Sequence, residues 1–182
     1  TEDFGLSGKA ALHMDAATGT VLYENNSHEK MPMASVTKIM TMLIAMENID
    51  SGKMSYDDTV TGSAYAKSMG GSTIFLDEGE QLSVNDILKG IAVASGNDAA
   101  VAMAEHLAGT EGEFVARMNQ KAELLGMEHT HFVDCCGLTD DDSHHTTARD
   151  VAIMSRELVQ KYPDIYQYTG IWMEDITHTT AR

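Results

Sequence analysis

A serine and a lysine lie three positions apart at the start of an apolar segment, MASVTKIM, as Ser35 and Lys38. In a helix, two side chains at this spacing share one face, one turn apart. A serine at a helix N-terminus is near the positive end of the helix dipole, which favours negative charge developing on its oxygen. A lysine among apolar neighbours loses hydration, and its pKa falls toward that of a usable base. These residue types at this spacing suit a serine nucleophile with a lysine base.

The Ser-x-x-Lys spacing by itself is weak evidence for that chemistry. It occurs a second time at Ser27 and Lys30, in a polar stretch where no helix would hold the lysine. Taken alone, the motif at Ser35 favours an ordinary helix start with a solvated lysine.

A Ser-x-Asn element is the second feature with chemical potential. Ser95, Gly96 and Asn97 lie between two apolar segments, where the glycine allows a tight turn. A helix–helix corner that points a hydroxyl and an amide outward is what a proton relay and a substrate-binding amide would need. A plain turn is the alternative, since all three residues are turn formers. We expect Asp98 to cap the helix that follows.

The surrounding elements predict an α+β chain. Residues 9–25 indicate two short strands around a turn, and two strands alone make a poor sheet. Ser83 with Asp86 and Thr147 with Asp150 have the spacing of helix caps. Residues 55–80 are turn-rich, and residues 130–138 indicate a short extended segment. Helical spacing of apolar residues predicts five helices, over residues 35–50, 82–95, 97–109, 113–127 and 147–162.

Together these segments resemble the low-molecular-mass D-alanyl-D-alanine carboxypeptidases of the serine penicillin-binding protein and β-lactamase group. The resemblance covers most of residues 8–182. It implies an α/β (α+β) fold of the β-lactamase/transpeptidase type within one catalytic domain. Residues 8–26 would supply the first two strands of an antiparallel sheet, and residues 33–170 a mainly helical lobe. The segments that carry it are SVTKIMT (35–41), residues 71–106, residues 114–138 and HHTTARDVA (144–152).

The resemblance also implies a role for each candidate residue. Ser35 would attack the carbonyl between two D-alanines and form an acyl-enzyme, and its backbone N–H would be one oxyanion donor. Lys38, as a neutral amine, would take the serine proton. Ser95 would relay a proton to the leaving D-alanine, and Asn97 would bind the substrate backbone or orient Lys38. No cofactor or metal is implied. Penicillins would acylate the same serine, and the substrate would be a peptidoglycan stem peptide outside the cytoplasmic membrane.

The third motif of that group, Lys-Thr-Gly, is missing. Residues 168–170 (Tyr-Thr-Gly) lack the cation, and residues 178–180 (His-Thr-Thr) lack the glycine. In the family this motif lies on a strand beside the nucleophile and binds the substrate carboxylate. We therefore expect the chain to be the N-terminal part of a longer enzyme, inactive by itself, with any membrane anchor on another segment. The open edge of its two strands would make dimerisation a hazard.

Two rival functions remain open. A class A-like β-lactamase would need a further glutamate in a loop after the Ser-x-Asn element, and no segment clearly provides one. A non-catalytic binding or assembly domain could keep the helical lobe without the sheet. Labelling of Ser35 by a fluorescent penicillin distinguishes an enzyme from such a module.

Composition narrows the kinds of partner and site that this protein can have. The 182 residues include 12 basic and 28 acidic side chains, for a net charge of −16, which disfavours a nucleic-acid partner. No apolar stretch reaches 18 residues, and residues 1–7 lack the features of a signal peptide. The adjacent Cys135 and Cys136 are expected to be free thiols. A further group of side chains suits a solvated acidic loop better than a metal site: His129, His131, His144, His145 and residues 140–142.

Overall fold

The computed structural model describes residues 11–14, 21–25, 31–32 and 36–168. Ser35, Ser27 and Lys30 lie outside these residues, so the predicted geometry of both Ser-x-x-Lys pairs is untested. Within the described part of the chain, no helix has the length and apolar character needed to cross a membrane.

The two predicted N-terminal strands are present. β1 (Ala11–Met14) pairs antiparallel with β2 (Val21–Asn25), and the register shifts between His13 and Met14. Together they form a two-stranded sheet, and β1 lies against the last long helix of the lobe.

All five predicted long helices form, and they build the lobe that holds the site. The helix start at Ser83 is confirmed, because its hydroxyl accepts a hydrogen bond from the backbone N–H of Asp86. Thr147 does the same for Asp150. The helices are α1 (Thr37–Asp50), the short α2 (Ala64–Lys67), α3 (Val84–Ala94), α4 (Asn97–Ala108), α5 (Glu111–Leu124) and α6 (Ala148–Lys161).

The sequence pattern missed α2, a 3₁₀ helix at Pro163–Ile165 and four short strands. β3 (Met31–Pro32) pairs with β6 (His145–Thr146), and β4 (Thr59–Thr61) pairs with β5 (Gln81–Ser83). Strands of two or three residues show no measurable alternation, so the period-2 signal cannot detect them. Residues 55–80 therefore contain β4 and α2 as well as turns.

Two helices, α1 and α4, run through the centre of the core. Ten consecutive residues of α1, from Thr37 to Met46, are buried, and so are the first eight of α4. Four alanines of α4 (Ala99, Ala100, Ala102 and Ala104) are buried there, and small side chains let neighbouring helices approach closely. As a result, the polar residues at the start of each helix, Lys38 and Asn97, are also buried.

Candidate active site

Lys38 lies in the first turn of α1 with only 6% of its surface exposed. Its Nζ donates hydrogen bonds to Oδ1 of Asn97 at 2.8 Å and to the backbone carbonyl of Cys136 at 3.0 Å. Burial lowers the pKa of Lys38, although the nearby Cys136, Cys135 and Asp134 act in the opposite direction. The partial desolvation predicted from the sequence is therefore confirmed.

This environment suits the neutral form of the amine. A neutral amine has two N–H donors and one lone pair, whereas an ammonium has three donors. The side chain of Asn97 and the carbonyl of Cys136 accept two N–H groups. The lone pair of a neutral Lys38 would then be available to take a proton.

Asn97 is the first residue of α4, and both ends of its amide are bonded. While Oδ1 accepts from Lys38, Nδ2 donates to the backbone carbonyl of Gly70 at 2.8 Å. The amide does not point outward, because the side chain is 5% exposed and both of its ends are bonded inside the protein. The lysine amine and the Gly70 carbonyl both lie on the inner side, and they supply the partners that a buried amide needs.

The Ser-Gly-Asn segment forms the predicted corner between two helices. Ser95 ends α3 in the left-handed conformation, with φ of 52°, and is half-buried. Gly96 is the N-cap of α4, and an added Cβ there would lie 3.1 Å from Oδ1 of Asp98 and 3.2 Å from the carbonyl of Gly90. A side chain at this position would need its neighbours to shift by a few tenths of an ångström, so the tight corner favours glycine.

The prediction that Asp98 caps α4 is wrong, because Gly96 is the N-cap and no side chain makes a cap hydrogen bond there. Asp98 lies inside the first turn and accepts from the backbone N–H of Ala99 at 2.8 Å. It also accepts from the N–H of Ile74 at 3.0 Å and of Leu76 at 2.9 Å, in the loop after Gly70. Asp98 thus fixes the loop that follows Gly70, whose carbonyl accepts a hydrogen bond from Asn97.

A second loop supplies the other acceptor for Lys38. Asp134 accepts from the backbone N–H groups of Cys136, Gly137 and Thr139 at 3.2, 2.7 and 2.8 Å. The hydroxyl of Thr41, one turn beyond Lys38, donates to the carbonyl of Cys135 at 2.7 Å. Neither Asp134 nor Thr41 was predicted from the sequence as part of the site. An Asp followed three residues later by Gly was the available sign of such a turn.

His144 joins this second loop to the start of α1. Its Nδ1 accepts from the N–H of Val133 at 2.7 Å, so the ring proton resides on Nε2, which donates to the hydroxyl of Thr37 at 2.8 Å. Burial lowers the pKa of His144, opposed by Asp134. The ring is thus a neutral structural connection. Cys135 and Cys136 are free thiols, as predicted.

Comparison with known proteins identifies the lineage. The sequence profile described as D-alanyl-D-alanine carboxypeptidase, peptidase S11, matches residues 2–181. The chain belongs to this family. The resemblance inferred from the Ser35 and Ser95 motifs and the helical block is therefore confirmed.

Individual members of the D-alanyl-D-alanine carboxypeptidase family show the extent of the match. The chain is 48% identical over 182 residues to D-alanyl-D-alanine carboxypeptidase DacF of Bacillus subtilis, covering all of this chain and 46% of the relative. The DacD structure from Francisella tularensis has a TM-score of 0.86 at 37% identity, over 90% of this chain and 40% of that one. The structure of penicillin binding protein 5 of Haemophilus influenzae has a TM-score of 0.84 at 34% identity, over 88% of this chain and 47% of that one.

These relatives confirm the fold. The chain has the penicillin-binding/transpeptidase fold, and its described residues form a helical lobe and three short antiparallel strand pairs. It spans about half the length of the curated relatives that it matches. The division into strands at 8–26 and a helical lobe at 33–170 stays a prediction, as do the roles of Ser35, Lys38, Ser95 and Asn97.

Proposed function

We propose that the protein containing this chain is a serine-type D-Ala-D-Ala carboxypeptidase that removes the terminal D-alanine of peptidoglycan stem peptides. The observation that carries the proposal is the hydrogen bond from the buried Lys38 amine to Asn97, in a chain of this family. A buried lysine with a lowered pKa and an ordered partner has the properties of a general base. The reaction takes place outside the cytoplasmic membrane, where peptidoglycan lies.

The proposed reaction begins at Ser35, one residue before the N-cap of α1. Lys38 accepts the hydroxyl proton as the serine oxygen bonds to the carbonyl carbon between the two D-alanines. Partial positive charge at the helix start stabilises the oxyanion. The C–N bond then breaks, D-alanine leaves with a proton delivered through Ser95, and an ester to Ser35 remains. Water hydrolyses this ester and restores the free serine.

In this mechanism Asn97 is a positioning residue. Oδ1 of Asn97 and the carbonyl of Cys136 fix the direction of the two N–H bonds of Lys38, and thereby of its lone pair. The contact of Nδ2 with Gly70 favours orientation of the lysine over capture of a substrate backbone. A base held in one direction contributes more to proton transfer than a mobile one.

The names of the relatives support both the substrate and the inhibitor class. The matched proteins are named D-alanyl-D-alanine carboxypeptidases, and a neighbour of the same fold is named a penicillin binding protein. We propose that β-lactams acylate Ser35 because they mimic the D-Ala-D-Ala terminus. Slow hydrolysis of the acyl-enzyme would distinguish the protein from a β-lactamase.

Covalent labelling of the full-length protein with a fluorescent penicillin tests the proposal. We expect labelling of the wild type and its loss in Ser35→Ala, with Lys38→Ala slowing it about 100- to 10,000-fold. The second Ser-x-x-Lys pair provides matched controls, and Ser27→Ala and Lys30→Ala should label normally.

A second assay measures D-alanine released from a pentapeptide that ends in D-Ala-D-Ala. Label retained in Ser35→Ala, or no release by a protein that does label, would overturn the carboxypeptidase assignment. Rapid turnover of a chromogenic cephalosporin would instead indicate a β-lactamase.

A further inference from the structure

Two thiols and a carboxylate meet beside the loop that holds Lys38. The sulfur atoms of Cys135 and Cys136 and a carboxylate oxygen of Glu111, the first residue of α5, all lie within 4.8 Å of one another. Cys135 Sγ donates to Oε2 of Glu111 at 3.2 Å. Among the residues that the structure describes, no other three metal-ligating side chains lie this close together. The proposed reaction uses none of the three side chains.

The separations lie within about 1 Å of those of a small tetrahedral site. With Zn–S bonds of about 2.3 Å and Zn–O bonds of about 2.1 Å, tetrahedral angles place two sulfurs about 3.8 Å apart and sulfur and oxygen about 3.6 Å apart. The observed separations require side-chain adjustments of only about 1 Å to reach these values. Two sulfur ligands and one oxygen ligand favour a thiophilic divalent ion over Mg²⁺ or Ca²⁺.

The neighbouring hydrogen bonds already orient these ligands. The hydroxyl of Tyr65 donates to Oε1 of Glu111 at 2.5 Å, and Oε2 accepts from the thiol and the backbone N–H of Cys135 at 3.2 and 3.3 Å. The backbone of the two cysteines is fixed through their carbonyls, by Thr41 and by Lys38. Outer contacts of this kind are what hold metal ligands in place.

An entry route exists on the Glu111 side. Both cysteines are buried, whereas Glu111 is half-buried and Tyr65 is 48% exposed. An ion would approach past Tyr65, bind the carboxylate and then the sulfurs. A solvent molecule would complete the coordination, since the protein supplies three ligands.

We propose that Glu111, Cys135 and Cys136 bind a thiophilic divalent cation of the Zn²⁺ type. Each cysteine releases its proton to solvent as its S–metal bond forms, so two protons leave for each M²⁺ that enters. The net charge near Lys38 is therefore unchanged. The bound ion would rigidify the backbone of Cys135 and Cys136, whose carbonyls accept hydrogen bonds from Thr41 and Lys38.

Titration of the reduced, chelator-treated full-length protein with Cd²⁺ tests this site. Cd²⁺ is the probe because Cd–thiolate bonds absorb in the ultraviolet, whereas bound Zn²⁺ is spectroscopically silent. We expect saturation at one Cd²⁺ per chain, displacement by Zn²⁺ and a raised unfolding temperature. Cys135→Ala and Cys136→Ala should each halve the absorbance, and Glu111→Gln should weaken binding at least 10-fold, roughly the size of an outer-contact effect.

Matched controls separate this site from the exposed histidines and acids. Glu113→Gln lies on the same helix with its side chain exposed, and His131→Ala removes an exposed histidine. Both should bind Cd²⁺ as the wild type does. Absence of thiolate absorbance in the wild type, or loss of binding in His131→Ala but not in Glu111→Gln, would overturn the proposal. Circular dichroism checks that each variant is folded. If a cysteine variant does not fold, the Cd²⁺ affinity of Glu111→Gln decides the test by itself.

Discussion

The amine of Lys38 donates a 2.8 Å hydrogen bond to the side-chain oxygen of Asn97, across 59 positions of sequence. This contact joins the first turns of α1 and α4, and the carbonyl of Gly70 holds the opposite end of the same amide. The direction of the Lys38 side chain therefore depends on a short chain of contacts, from loop backbone to amide to amine.

Asn97→Ala should slow acylation by penicillin about 100-fold. Without the amide, Lys38 is no longer held in place, and a displacement of the base by about 1 Å lowers the rate by about that factor. Stopped-flow measurement of labelling gives the rate. The control is Asn119→Ala, which removes another amide with both ends bonded, to the N–H and carbonyl of Phe132. Each variant should lose about 1–3 kcal/mol of unfolding free energy. Equal acylation rates in the two variants would contradict a positioning role for Asn97.

Gly71→Ala should disturb Asn97 from the other side. At Gly71, with φ of +70°, an added Cβ would lie 2.7 Å from Nδ2 of Asn97. Gly52 has a similar φ of +80° with nothing within 4 Å of an added Cβ. Both alanine variants should lose about 1 kcal/mol from backbone strain.

Only Gly71→Ala should also slow acylation, by about 10-fold or more, because only there does the methyl group push on the amide that holds the base. Comparing penicillin labelling rates of the two variants isolates this steric effect from the shared strain. A normal rate in a folded Gly71→Ala protein would show that the amide tolerates the displacement.

The sequence predicted the helices and the corner, but not the contacts between loops. Apolar periodicity found all five long helices, and Ser95-Gly96-Asn97 forms the expected turn. That corner alone does not predict the inward turn of Asn97, whose partners lie 27 and 59 positions away, although the family resemblance implied that Asn97 could orient Lys38. The carbonyl of Cys136 is 98 positions from Lys38. Backbone acceptors carry no residue-type signal, so only the folded chain reveals them.

Asp98→Ala should be strongly destabilising. This side chain is 1% exposed and accepts from the backbone N–H groups of Ile74, Leu76 and Ala99. Removing it leaves these donors without their acceptor, at a cost of about 3 kcal/mol or more in unfolding free energy. Denaturant titration measures the loss. The control Asp86→Ala removes an exposed carboxylate in the first turn of α3 and should cost less than about 1 kcal/mol. Similar losses in both variants would contradict the role of Asp98 in holding the loop.

His144 should make the free energy of unfolding depend on pH below about 6.5, which is the ordinary pKa of a histidine side chain. Burial lowers the pKa of His144 in the folded protein. Above about pH 6.5 the ring is neutral in both states, and its contribution to stability is fully present. As the pH falls, the unfolded chain takes up a proton that the folded ring resists, so the free energy of unfolding decreases. The loss is complete below the folded pKa and has a slope of at most about 1.4 kcal/mol per pH unit.

Urea titrations at a series of pH values measure this slope, and variants assign it. Glutamine offers both an acceptor and a donor, so His144→Gln can keep the contacts to Val133 and Thr37 while removing the titration. Its stability should fall less between pH 7 and pH 5 than that of the wild type. His106→Gln, exposed near the end of α4, should keep the wild-type slope. The carboxylates of Asp134 and Asp141 favour the charged ring, whereas His131 and His145 oppose it. An unchanged slope in His144→Gln would assign the pH dependence to other groups.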